Sequence, residues 1–186
     1  YKYHFKKDDF LNCHQVEKYN NFMNESLNTE YSAGQLNIYS DSLLKDEPYS
    51  ALGSRPLLGI NPGASYGNAK RWYPEEFANV AVKLSSQFDI IILGGPSEIK
   101  IAGDIEKILI KKRVNNYQNL AGNISISELI QCISKLDLFI TGDSGPMHIA
   151  ASFQVPSITI FGPTRVNETS QWMNQKSIII KKSLDC

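Results

Sequence analysis

Leu136-Asp137-Leu138-Phe139-Ile140-Thr141-Gly142-Asp143-Ser144-Gly145-Pro146-Met147-His148-Ile149-Ala150-Ala151 runs from an apolar stretch into a polar, glycine-bearing turn and on into residues at helical spacing. The pattern predicts a buried strand over Asp137–Thr141, then a short helix ending near Phe153. Such a turn aims backbone N–H groups, and the positive end of the helix, at whatever lies beyond the strand's carboxyl end. That suits an anion. A second loop, Asn61-Pro62-Gly63-Ala64-Ser65-Tyr66-Gly67-Asn68-Ala69-Lys70-Arg71-Trp72, follows the apolar run Leu57–Asn61 and carries two cations. Together the two loops predict a phosphate-bearing ligand held at the strand ends of an α/β domain.

The rest of the chain after Pro56 fits that frame. Pro74-Glu75-Glu76 opens a helix with proline at its first position and acid in its first turn, and Phe77, Val80, Ala81 and Leu84 form its apolar stripe. Asp89–Leu93 reads as a strand closed by Gly94-Gly95-Pro96, followed by a helix bearing Ile101, Ile105, Ile108 and Leu109. Tyr117–Leu120 predicts a short strand before Ala121-Gly122-Asn123, and Ser125 with Glu128 forms a capping box for a helix over Ile126–Leu136. Pro156–Phe161 and Ser177–Lys181 are further strands. Strands alternating with helices imply a parallel, doubly wound, Rossmann-like sheet, whose ligands sit beyond the strands' carboxyl ends.

Residues 1–50 differ: rich in Asn, Lys, Tyr and Ser, with aromatics from Tyr1 to Tyr49, they predict a helix around Gln15–Ser26 and an extended Gln35–Tyr39. So many aromatics suit a surface that packs against something, not a disordered tail. At 186 residues there is room for one substantial core. The 19 basic and 19 acidic residues cancel, which argues against a nucleic-acid or anionic-membrane binder. No apolar run reaches the ~20 residues that span a bilayer, and the start carries no apolar signal-peptide segment. The absence of an initial Met and the finish at Cys186 suggest that both ends are cut from a longer protein. The three cysteines, Cys13, Cys132 and Cys186, make neither a disulfide framework nor a metal knuckle, which fits a reducing compartment. Cys132, at helical spacing among apolar residues, reads as core filler.

Each motif has a plainer alternative. Asp143 or Ser144 could simply cap a helix, with Gly145 easing the bend. Gly-Asp-Ser-Gly is similar to serine-hydrolase nucleophile motifs, but the elbow G-x-S-x-G needs glycine where Pro146 stands. His148, close behind Ser144 on the same short helix, is poorly placed as its base. Lys70 and Arg71 lie in no Walker A loop, because the G-x-x-x-x-G-K-[ST] spacing is absent. Trp72 reads as a packing anchor. His148 has no second ligand spaced to share a metal, so a role beside phosphate or in holding the turn suits it better.

Asn61-Pro62-Gly63-Ala64 with Ala69-Lys70-Arg71-Trp72-Tyr73-Pro74, then Leu93-Gly94-Gly95-Pro96, Asn119-Leu120-Ala121-Gly122, Gly142–Ala151 and Phe161-Gly162-Pro163-Thr164, stand in the order found in bacterial ADP-heptose–lipopolysaccharide heptosyltransferases. The chain resembles that family over roughly residues 55–186, and its Pro-Gly-Ala and Ala-Lys-Arg-Trp elements are most similar to the heptosyltransferase II branch. His14-Gln15-Val16-Glu17-Lys18-Tyr19 also resembles the helix that closes the family's first domain, and Leu184-Asp185-Cys186 the start of its tail.

The resemblance implies the C-terminal half of a GT-B glycosyltransferase, with residues 1–50 as linker and end of the N-terminal domain and 51–186 as the nucleotide-sugar-binding domain. It implies an inverting heptosyltransferase of the lipopolysaccharide inner core whose general base lies in an N-terminal domain absent here, so that this piece alone is inactive. Lys70 would contact the ADP phosphates; Ser144, Gly145 and His148 would surround the same diphosphate; Asp143 would bond the heptose. Gly63, Ala64, Gly95 and Gly122 would lie near the nucleotide. No metal or cofactor is implied beyond the ADP-heptose donor. The partners would be an ADP-sugar and a lipopolysaccharide core acceptor, in the cytoplasm, with membrane contact at most peripheral at the inner membrane's inner face. The alternatives are another GT-B enzyme, either a sugar-nucleotide epimerase or a transferase with a different donor, and a non-catalytic nucleotide-binding module.

Overall fold

The computed structural model describes residues 13–39, 52–63 and 70–182. Ala64 and Leu184-Asp185-Cys186 lie outside the described residues. In chain order the elements are α1 (Gln15–Leu27), β1 (Leu57–Asn61), α2 (Pro74–Leu84), β2 (Asp89–Ile92), a 3-10 turn (Pro96–Glu98) and α3 (Ile99–Lys111). There follow β3 (Tyr117–Asn119), α4 (Ile126–Ser134), β4 (Leu138–Gly142), α5 (Gly145–Ser152), β5 (Ser157–Phe161), α6 (Val166–Thr169) and β6 (Ser177–Lys181).

The strands form one sheet in the order β3-β2-β1-β4-β5-β6, and every neighbouring pair is parallel. This is the arrangement of dinucleotide-binding sheets, in which the chain winds outward one way from β1 and then the other way from β4. The crossovers leave β1 and β4 in opposite directions, opening a crevice at their carboxyl ends. Asn61 and Thr141 stand opposite each other there.

Burial on both faces explains why the central strands are nearly all apolar. Leu58, Ile60, Ile90, Ile92 and Ile140 face Phe77, Ala78 and Ala81 of α2 and Ala102, Ile105 and Leu109 of α3. Ile91, Leu93 and Phe139 face Cys132 and Ile133 of α4 and Ala150 of α5. Cys132 is fully buried, as core filler should be. Trp72 stacks edge-on against Phe77 at 5.1 Å, an anchor for the loop that precedes α2.

Local signals set the helix ends. Proline opens α2, with Glu75 and Glu76 in its first turn. The Ser125 hydroxyl accepts the Glu128 N–H at 3.3 Å while Glu128 accepts the Ser125 N–H at 2.7 Å, closing the capping box of α4. α4 stops at Ser134, short of the expected Leu136, because the Lys135 and Leu136 amides bond three residues back, to Cys132 and Ile133. Gln35–Tyr39 forms no strand, and the four-residue α6 has no periodicity by which to foresee it.

α1 begins as expected and is tied to the far end of the chain. His14 caps it, Nδ1 accepting the Val16 N–H at 3.2 Å, so Nε2 carries the proton donated to the Ser170 carbonyl at 2.9 Å. The same ring lies 4.7 Å from that of Trp172, whose Nε1–H donates to the Gly34 carbonyl at 2.9 Å. Lys18 pairs with Glu168 at 3.2 Å. Tyr19, Met23 and Leu27 remain exposed on α1.

Candidate functional site

The crevice between β1 and β4 gathers most of the expected residues. Asn61 ends β1, and its buried side-chain amide lies 3.4 Å from the Gly63 carbonyl, 3.3 Å from Thr141 Oγ1 and 3.2 Å from Ser144 Oγ. One side chain thus ties the loop after β1 to the turn after β4. The Ser144 hydroxyl also lies 3.3 Å from both Thr141 Oγ1 and the Gly142 carbonyl. These neighbours are an amide, a hydroxyl and a carbonyl, so none serves as the general base a nucleophilic serine needs.

Ser144 is the N-cap of α5 by position, with extended backbone, yet its side chain makes no capping hydrogen bond. Nor does the Asp143 carboxylate cap the helix: it pairs with the Lys70 ammonium at 2.8 Å. Hence the first turn of α5 directs its amides into the crevice without a side-chain acceptor, a disposition that favours an anion. Pro146 lacks an N–H, and Met147 N–H bonds back to the Ser144 carbonyl at 3.1 Å, leaving Gly145 as the forward-facing donor of that turn.

Lys70 and Ser144 therefore share one rim. Close packing brings them there: a Cβ at Gly142 would lie 3.4 Å from the Lys70 carbonyl oxygen, so the two loops cross almost backbone to backbone. Arg71, next in the chain, turns to the other side of the crevice and pairs with Glu98 at 3.4 Å. Glu98 is itself buried; it accepts the Gly95 N–H at 2.9 Å and the Ser97 hydroxyl at 2.6 Å. Gly63 makes room for it, since a Cβ at that position would collide with the Glu98 side chain.

Between these walls lies a cavity of about 220 Å³ lined by Asn61, Gly63, Gly94, Gly95, Glu98, Leu129, Ser144, Gly145 and Pro146. Gly122, at φ +76°, adjoins it through its N–H bond to the Gly94 carbonyl at 2.9 Å. A larger hollow of about 570 Å³ flanks the edge strand β3 between Glu106 and Asn119. It lies beside the carboxyl end of α3, away from the strand crossover and from the helix amino terminus there, and is not the candidate site.

His148 sits one turn into α5, partly buried. Desolvation holds its imidazole below the ordinary histidine range; Asp143 pulls the other way, and His14 adds to the depression. The ring is neutral near pH 7. Among the described residues no group of three His, Cys, Asp or Glu is placed to hold a metal ion.

Of the residues expected from the sequence, Gly63, Gly95, Ser144 and Gly145 line the cavity, Lys70, Asp143 and Gly122 adjoin it, and His148 interacts electrostatically with Asp143 without lining it, while Ala64 lies outside the described residues. Asn61 and Glu98 join the site without standing among the residues expected from the sequence. The available signals were a polar residue closing an apolar strand, and a Gly-Pro-Ser-Glu run in which the acid can reach back to the first amide.

Comparison with known proteins gives a consistent set of relatives. The model of glycosyltransferase family 9 (heptosyltransferase) matches residues 1–186. Lipooligosaccharide heptosyltransferase 2 of Campylobacter jejuni is 38% identical over 186 residues, covering 100% of this chain and 58% of its own length. The chain thus spans little more than half of that relative. The solved structure of Escherichia coli ADP-heptose lps heptosyltransferase II superposes with a TM-score of 0.64 at 28% identity, over 68% of this chain and 38% of that one. A glycosyl transferase family 9 structure from Veillonella parvula shares the fold at TM-score 0.75 and 22% identity, covering 94% of this chain and 51% of that one.

Proposed function

Because this chain belongs to glycosyltransferase family 9, the heptosyltransferases, we propose that it forms the ADP-heptose-binding part of an inverting enzyme that transfers heptose to the lipopolysaccharide inner core. The observation that carries this reading is the meeting of the Lys70 side chain with the Gly142–Gly145 turn at the β1–β4 crossover. A lysine from one loop and the Gly145 amide at the start of a helix can grip one diphosphate from two sides.

The chemistry follows from where charge develops. Breaking the bond between the sugar's anomeric carbon and the phosphate leaves negative charge on the departing ADP. Lys70 and the Gly145 N–H, fixed in advance, stabilise that charge without reorganising. A helix terminus contributes only ~0.3–2 kcal/mol to an anion, so the lysine has to act with it. His148 is held neutral near pH 7 by desolvation, and an anion beside it would favour its protonated form. We place no cofactor beside the donor.

The acceptor hydroxyl must lose a proton as it attacks from the opposite face, and a carboxylate suits that task. Asp143 is engaged by Lys70, and Glu98 by Arg71, Ser97 and Gly95. We therefore assign the base to a part of the longer relatives that this chain does not span, together with most acceptor contacts; the 186 residues alone should transfer no heptose. No helix among the described residues is long and apolar enough to cross a membrane. A cytoplasmic location, meeting the lipid-linked acceptor at the inner face of the inner membrane, suits this role.

Thermal-shift titration with ADP, UDP, GDP and CMP tests the donor class. ADP should raise the melting temperature most. Equal shifts with all four, or none with ADP, would count against an ADP-sugar site.

A further inference from the structure

Two buried carboxylates stand at this crevice, Glu98 in the cavity wall and Asp143 next to the Ser144 wall, and they are held differently. Glu98 has a backbone N–H and a hydroxyl besides Arg71. Asp143, whose side chain is 5% exposed, is held among the described residues by Lys70 alone. Any ligand anion that draws Lys70 away strips Asp143 of its counter-charge. A buried carboxylate without a partner is costly, and more so beside a diphosphate.

We infer that Asp143 is a specificity-determining residue: by competing for Lys70 it weakens binding of a bare nucleoside diphosphate, and it spares a diphosphate that carries a hydroxyl-bearing group. This rests on the reading of the crevice as a nucleotide-sugar site. A free nucleoside diphosphate offers Lys70 an acceptor but brings nothing to Asp143 except a further ionised phosphate oxygen. A sugar esterified to the diphosphate removes that ionisation and presents O–H groups that can donate to the abandoned carboxylate. The ligand must satisfy both members of the pair, or bind against one of them. After transfer, the departing nucleotide has lost the group that satisfied Asp143, which favours its release.

Among the described residues, the charged and titratable groups facing Asp143 are Lys70 from the loop before α2 and His148 from α5. A protonated His148 could stand in for the lysine. The test is therefore run at about pH 8, above the ordinary histidine range. Calorimetric titration with ADP and with ADP-heptose compares the wild-type chain with Asp143→Asn. The variant should bind ADP about fivefold tighter, the scale of a partly exposed ion pair, and ADP-heptose no tighter, so the preference for the sugar nucleotide shrinks. ADP affinity unchanged or lowered in a variant with wild-type circular dichroism overturns the inference. Asp143→Ser, which also removes the charge, serves the same comparison if Asp143→Asn does not fold.

Lys70→Ala separates the two levels of the reading. If it weakens ADP while Asp143→Asn fails to strengthen it, only the competition falls. If Lys70→Ala leaves ADP binding intact, or the wild type binds neither nucleotide, the diphosphate site falls as well.

Discussion

Lys70 and Arg71 are neighbours in sequence, yet they serve opposite walls of the crevice. Arg71 reaches a carboxylate at 3.4 Å that its own stretch of chain already holds, through Ser97 at 2.6 Å and Gly95 at 2.9 Å. Lys70 reaches one at 2.8 Å that has no other hydrogen-bond or ion-pair partner among the described residues. Removing the arginine leaves Glu98 with two donors; removing the lysine leaves Asp143 exposed to its own desolvation cost. The difference teaches that consecutive cations in a binding loop need not do the same thing. One wall is fixed framework, and the other is a displaceable contact poised to meet a ligand.

The largest effect should come from the displaceable wall. Lys70→Ala is expected to lower ADP affinity by about tenfold or more, the magnitude of a charge-assisted hydrogen bond, as measured by calorimetry. A much smaller loss would erase the asymmetry. An intermediate effect is expected from acid. The unfolded chain binds a proton on His148 near the ordinary value of 6.5, whereas the folded chain does so only at lower pH. The stability this contributes is complete above about pH 6.5 and is lost as pH falls from there through the depressed folded value. Urea denaturation from pH 8 down to about pH 5.5 should show that decline, and His148→Gln should flatten it. An anion on the displaceable wall would raise the imidazole's affinity for protons, so ADP should bind more tightly over the same window. The smallest effect belongs to the fixed wall: Arg71→Gln should leave ADP affinity within about threefold of wild type. A loss equal to that of Lys70→Ala would show that the two walls are alike.

Much of the scaffold is readable from sequence, because in a sheet buried on both faces the strands are plain apolar runs closed by glycine turns. β1 and β6 match their expected bounds, β2, β3 and β5 differ by a residue at one end, and β4 is shifted by one residue at both. Short elements are harder. The 3-10 turn at Pro96–Glu98 and the four residues of α6 owe their shape to their neighbours rather than to any period of their own. The site divides similarly. Lys70 and the turn after β4 announce themselves by residue type and place in the chain. Asn61 does not: its meaning lies in Thr141 and Ser144, which approach it only when β4 returns beside β1. Asp143 has an evident charge, but neither a capping nor a sugar-facing role discloses that Lys70 holds it, since that contact forms between two crossovers.

His14 has one ring and two attachments. The nitrogen that starts α1 and the nitrogen that binds Ser170 belong to the same rigid five-membered plane. A tilt of that plane disturbs both at once. The beginning of the helix and its mooring to the far end of the chain are thus mechanically geared: strain applied near Trp172 is delivered to the first turn of α1 with no slack between, and the helix cannot swing as a free arm while that turn stays wound.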